Sequence, residues 1–161
     1  MQALTRNSDV FAAGVANAPV FNWITQTRYN GDSQPFELAL PRAAGFRTLP
    51  RGPRPDLAGP SWASITQRNM QLAWESSPAG HLDQLRSPLL VIQGDSDANV
   101  DFAETVGIVS GLRARGFPES NLEMMMVPDE RHGLARFANQ LQAAQRTADF
   151  FVRRLRPEVH V

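Results

Sequence analysis

Pro88-Leu89-Leu90-Val91-Ile92-Gln93-Gly94-Asp95-Ser96-Asp97-Ala98-Asn99-Val100 is the stretch that decides the fold. Leu89 to Ile92 are consecutive apolar residues with turn formers on both sides. Such a run predicts a strand buried on both faces, as in a parallel sheet covered by helices. Working outward, Phe102, Val106, Val109 and Leu112 recur at helical spacing over 102–115, and Gly116 stops the helix. Leu122 to Val127 is the next apolar run and the next predicted strand, followed by Glu130-Arg131-His132-Gly133. A last helix is predicted over 134–155, with Leu134, Phe137, Leu141, Ala144, Ala148, Phe151 and Leu155 three or four residues apart. That stripe is expected to pack on the core and to leave Gln140, Gln142, Arg146 and Arg153 in solvent.

Upstream, residues 1–7 read as the last turns of a helix ended by Asn7-Ser8-Asp9. The apolar run from Phe11 to Pro19 reads as a further buried strand, closed by a proline that cannot donate to a sheet ladder. Residues 25–60 are an excursion punctuated by Pro35, Pro41, Pro50, Pro53, Pro55 and Pro60 and by Gly31, Gly45, Gly52 and Gly59. Both flanking strands need the same sheet, so this is a long loop rather than a linker between domains, and loops of that length are commonly lids or binding walls. Trp62, Ile65, Met70 and Trp74 mark a helix near 61–74 that Ser61 could cap.

Composition narrows the function. With 42% hydrophobic and 20% charged residues over 161 positions, the chain has enough apolar material for one domain with a core. Lys plus Arg equals Asp plus Glu, at 16 each, which gives no reason to expect nucleic acid or an anionic membrane as partner. No apolar run approaches the roughly 18 residues that span a bilayer. The absence of cysteine excludes disulfides, thiolate chemistry and Cys-ligated zinc. Asp95, Asp97 and Asp101 lack the glycine and distal glutamate of a calcium loop, so no metal site is expected, and no cofactor.

Strand, helix, strand, helix from residue 88 onward implies right-handed parallel crossovers, which gather the loops after the strands at one sheet edge, where ligands bind. Asp97 and His132 lie in two such neighbouring loops. A carboxylate that accepts a hydrogen bond from an imidazole fixes its tautomer and stabilises the cation formed when it takes a serine proton. A competing reading stands beside this one. Asp95 and Asp97 could cap the helix near Asp101 or build a turn, and an isolated histidine is more often a surface residue. The joint pattern, with glycine beside each group, favours the acid–base reading; His81 and His160 lack such a setting. No serine in the chain occupies Gly-x-Ser-x-Gly: Ser33 lacks the second glycine, and Ser96 sits inside the acid loop.

Ser76-Ser77-Pro78, the stretch from Pro88 to Val100 and Pro128-Asp129-Glu130-Arg131-His132-Gly133 resemble, in order and spacing, the end of the catalytic domain of the prolyl oligopeptidase family of serine peptidases, of dipeptidyl-peptidase and acylaminoacyl-peptidase type. Phe11 to Trp23 resembles the strand after that family's nucleophile elbow. The resemblance implies the C-terminal portion of an α/β-hydrolase fold, with parallel strands near 11–19, 88–93 and 122–127 and helices near 61–74, 102–115 and 134–155. It implies that residues 1–161 form a partial catalytic domain, without the elbow and the N-terminal propeller. By that likeness Asp97 is the triad acid and His132 the base. Asn99 would bind a substrate carbonyl, and Val20, Trp23 and Val100 would line an apolar pocket, although the last three read equally well as core. The tyrosines that complete such a pocket have no match; Gln26 and Asn30 stand near their places. The expected partners are a peptide substrate and the N-terminal part of the same protein, and the chain is expected to be inactive alone. A carboxylesterase on the same fold, or a hydrolase domain kept as a binding module, are the alternatives.

Overall fold

Leu89, Leu90, Val91 and Ile92 form the centre of a three-stranded sheet in a computed structural model that describes residues 1–30 and 71–155. Strand β1 (Gly14–Asn17) and strand β3 (Leu122–Val127) flank β2 (Leu89–Gly94), all parallel, with Gly14 opposite Leu89 and Leu89 opposite Leu122. Every residue of β2 is buried, as expected of a central strand covered on both faces. The helices are α1 (Gln2–Arg6), α2 (Trp23–Asn30), α3 (Phe102–Ala114) and α4 (Phe137–Leu155), with a 3-10 segment at Pro78–Gln84 and helical residues at 71–75.

Alternation along the strands divides the core in two. Leu89 and Val91 face Ile108 and Leu112 of α3, Leu82 and Leu85 of the 3-10 segment and Leu4 of α1. Leu90 and Ile92 face the other way, onto Val127, Leu134, Ala143 and Phe150. Glu123 shares that second face and bridges Arg146 at 3.0 Å, Arg153 at 2.8 Å and Arg154 at 3.3 Å, tying α4 to the edge strand.

Several expectations are corrected. The first strand is confined to Gly14–Asn17, because Ala18 takes a left-handed φ of 43° and turns the chain out of the sheet ahead of Pro19. The last helix starts at Phe137, not Leu134, since Gly133 and Leu134 both have positive φ (85° and 55°). Its predicted apolar stripe is only partly on the core: Leu134 and Phe151 pack there with Ala143 and Phe150, while Phe137, 77% exposed, Leu141 and Leu155 face solvent. In α3, Val106 is exposed, and Thr105, Ile108, Val109 and Leu112 make the buried face. The excursion from residue 31 onward, the predicted helix over 61–70 and His160 lie outside the described residues.

Candidate active site

The loop after β2 and the loop after β3 are bonded to each other before either side chain of interest is considered. Asp95 N donates to Val127 O (3.2 Å), Ser96 N to Glu130 O (3.0 Å), and Asp129 N to the Asp95 carboxylate (2.7 Å). Gly94 makes this possible: a Cβ there would lie 2.3 Å from Glu130 O, inside any allowed contact. Asp95 is therefore a turn-forming carboxylate, and Asp101, not Asp97, caps α3 by accepting from Ala103 N (2.8 Å).

Asp97 sits in the acid loop with its carboxylate fully buried. Its Oδ1 accepts the amides of Asn99 (2.8 Å) and Val100 (3.0 Å), and its Oδ2 accepts Gln93 Nε2 (3.1 Å) and meets His132 Nδ1 at 2.9 Å. Burial pushes the carboxyl pKa up. The Val100 amide, His132 and the Asn99 amide outweigh it, and the net pKa lies below the ordinary carboxylate value. An Asp97 anion accepting at Oδ2 places the ring proton on Nδ1 and the lone pair on Nε2. The His132 side chain is 45% exposed, and Nε2 has no hydrogen-bond partner among the described residues.

Sequence reasoning passed over the side chains that hold this pair. Gln93, wholly buried at the end of β2, also reaches Gly94 O and Val100 O (3.3 Å each) and takes a hydrogen bond from Thr105 Oγ1 (3.3 Å), so α3 braces the acid loop. Glu130 is buried and accepts Ala135 N (2.6 Å), Arg136 N (3.0 Å) and Asn139 Nδ2 (2.6 Å), spanning the bend that carries His132 into α4. The Asn139 bond first, then those amides against the cost of burial, hold its carboxyl below the ordinary range. The available signal was a glutamate just ahead of a helix whose first turn lacks its own acid.

The remaining predicted residues take different places. Asn99 is exposed beside Asp97, and its carbonyl accepts Gln26 Nε2 of α2. Val100 is buried, its amide engaged by Asp97 and its carbonyl by Gln93. Val20 and Trp23 are half-buried where the chain enters α2. Buried Glu104 of α3 holds that entry by accepting Phe21 N (2.8 Å), Asn22 N (2.6 Å) and Thr25 Oγ1, and Trp23 N donates to Ser77 Oγ (2.9 Å). Among the described residues no cluster of three or more His, Asp or Glu could hold a metal, and no helix is long and apolar enough to cross a membrane.

A parallel sheet between helices, with chemistry-bearing loops at the strand ends, is here a partial α/β-hydrolase fold. It superposes with a TM-score of 0.66 on a puromycin-hydrolyzing peptidase of Mycobacterium tuberculosis (20% identity, 95% of this chain, 20% of that one). The TM-score is 0.62 against dipeptidyl peptidase 4 of Porphyromonas gingivalis (21% identity, 94% of this chain, 17% of that one). The model of the prolyl oligopeptidase family matches residues 53–158, and the chain belongs to that serine peptidase family. Dipeptidyl aminopeptidase BIII of Pseudoxanthomonas mexicana is 38% identical over 87 residues, covering 54% of this chain and 11% of that protein. Acylamino-acid-releasing enzyme 2 of Oryza sativa subsp. japonica is 30% identical over 64 residues, covering 40% of this chain and 8% of its own length. The matched segments thus span about a tenth of the length of these curated relatives.

Proposed function

We propose that this chain supplies the acid and the base of a serine peptidase, Asp97 and His132, to a nucleophile that its own residues do not contain. The observation that carries the reading is the 2.9 Å contact between His132 Nδ1 and the buried Asp97 Oδ2, with Nε2 unengaged among the described residues. In the assembled enzyme His132 Nε2 takes the proton of an attacking serine, Asp97 stabilises the resulting imidazolium, and the base returns the proton to the leaving amine. Water then repeats the cycle on the acyl-enzyme. Peptides are the substrate class, as the family membership supports. Asn99, exposed next to the pair, is the group for a substrate carbonyl; Val100 and the segment of Val20 and Trp23, tied to α3 through Glu104, are the apolar groups assigned to the substrate side chain.

A fluorophosphonate probe tests this. The 161-residue chain is expected to remain unlabelled and to leave peptide p-nitroanilides intact. A longer polypeptide with a Gly-x-Ser-x-Gly segment ahead of residue 1 is expected to label and to lose labelling on His132→Ala. Covalent labelling of the 161-residue chain itself would identify an activated serine within it and overturn the assignment.

A further inference from the structure

A cavity of about 280 Å³ opens at the edge where the strands enter the sheet, the edge opposite to Asp97 and His132. Its walls are the segments that lead into β2 and β3 and the end of α3; neither loop of the acid–base pair contributes to it. Strands β2 and β3 are 6 residues long, so roughly 20 Å separates the two edges. The floor is apolar. Leu82, Leu85 and Leu112 belong to the core and are 2%, 2% and 1% exposed, and half-buried Phe117 packs against them. Gly116, at a φ of 69°, turns the chain back after α3 and brings the Phe117 amide onto the Leu112 carbonyl (3.0 Å).

The rim is cationic. Arg86 and Arg115 both line the cavity, from segments that meet only in the fold. Each guanidinium is anchored through Nη1 to backbone carbonyls: Arg86 to those of Asp83 and Leu85 (the latter at 3.0 Å), Arg115 to that of Gly111 (3.0 Å). Their Nε and Nη2 groups have no partner among the described residues. That edge is the one with which an arginine grips a carboxylate through two parallel bonds, as Arg113 does with Glu119 (2.7 and 3.2 Å). By contrast with these two, Arg113, Arg146, Arg153 and Arg154 each meet a glutamate. Asp83 is the one acid in the lining, and it forms no ion pair with either arginine. Asn121 adds an amide whose side chain has no partner among the described residues. Two cations, one anion and an apolar floor call for a monoanion with an apolar body. The volume is just under twice the roughly 150 Å³ that admits one benzene ring, which leaves room for a ring and a short acid arm.

We propose that this cavity is a second binding site, independent of the peptidase reading, for a small aromatic monocarboxylate. The ring would rest on Leu82, Leu112 and Phe117, and the carboxylate would be held between Arg86 and Arg115. In nitrogen-15 NMR of the 161-residue chain, 3-phenylpropionate is expected to shift the amides of Gly116, Phe117 and Asn121 saturably, with a Kd of about 0.1–1 mM, and to leave His132 unmoved. Arg86→Ala and Arg115→Ala, both at exposed positions, are each expected to weaken binding about tenfold or more with the circular dichroism of the chain retained. Arg113→Ala, outside the lining, is expected to keep it. 3-Phenylpropanol, which lacks the charge, and inorganic phosphate, which lacks the ring, are each expected to bind at least about tenfold more weakly. The absence of saturable shifts at 116–121, or binding unchanged in both arginine variants, would overturn the proposal. Phosphate binding as tightly as the acid would reduce the site to a patch that attracts any anion, and shifts centred on His132 would move the acid to the reaction site; either result overturns it equally.

Discussion

Replacing Asp97 separates its two jobs, because each carboxylate oxygen serves a different set of donors. In Asp97→Ala both oxygens go. Gln93 Nε2 keeps the carbonyls of Gly94 and Val100, and the half-exposed His132 ring turns to water, so neither is stranded. Asn99 lies at the surface, and its amide rehydrates. The Val100 amide is buried and keeps no acceptor. One stranded amide plus the lost charge-assisted bonds costs about 2–4 kcal/mol. With a slope of about 1–3 kcal/mol per molar urea, the unfolding midpoint falls by roughly 1–2 M. Asp97→Asn behaves differently. Its carbonyl oxygen still accepts both amides at the Oδ1 position, so the loss is smaller, about 1–2 kcal/mol. Its NH2 group, however, meets two donors, Gln93 Nε2 and His132 Nδ1. The ring relieves this by moving its proton to Nε2, which leaves no lone pair where a base needs one. Nitrogen-15 NMR of the imidazole reads this as a change of tautomer from Nδ1–H to Nε2–H. In the active polypeptide the same substitution lowers kcat by about four orders of magnitude. An Asp97→Ala chain as stable as the parent, or an Asp97→Asn chain with an unchanged tautomer, would refute the reasoning.

The remaining predictions follow from the same contacts. Gly94→Ala drives a Cβ into Glu130 O and forces the two loops apart; it is expected to lower Tm and to erase the NMR signature of the His132–Asp97 bond together. Asp97 has a folded pKa below its unfolded value of about 4, so as pH falls through that range the unfolded chain takes up the proton first and stability drops. Its contribution is complete above that range, and urea titrations in acid are expected to show a shallower loss for Asp97→Asn than for the parent. Phe150 is fully buried between α4 and the sheet, and Phe150→Ala is expected to cost about 3–5 kcal/mol by denaturant unfolding.

The parts legible in the sequence were those written in consecutive residues. The runs 89–92 and 122–127 are largely apolar stretches of strand length between turns, and parallel pairing of the two strands brings the loops carrying Asp97 and His132 together. What lay beyond reading was set by partners distant in the chain. Glu104 resembles any acid in a helical first turn, yet it is buried under the entry to α2. Gln93 resembles the polar end of a strand, and only the fold turns its amide onto Asp97. For α4, periodicity marked an apolar stripe expected on the core, and only part of it lies there: Leu134 is buried and Phe151 packs on the sheet, while Phe137, Leu141 and Leu155 are exposed. The sheet contacts Ala143 and Phe150, on the side where Glu123 bridges Arg146, Arg153 and Arg154. The helix start was misjudged because Gly133-Leu134 bends left-handed, a conformation that the leucine gives no local reason to adopt.

The backbone bonds that weld the Asp95–Ser96 turn to Val127–Glu130 have a mechanical consequence. Whatever breathing the sheet undergoes, the two rims ride on one frame, so the spacing of imidazole and carboxylate is insulated from it. On the proposed function, slow motion is left to act on the approach of the serine, and turnover is then expected to follow how that group docks against the pair.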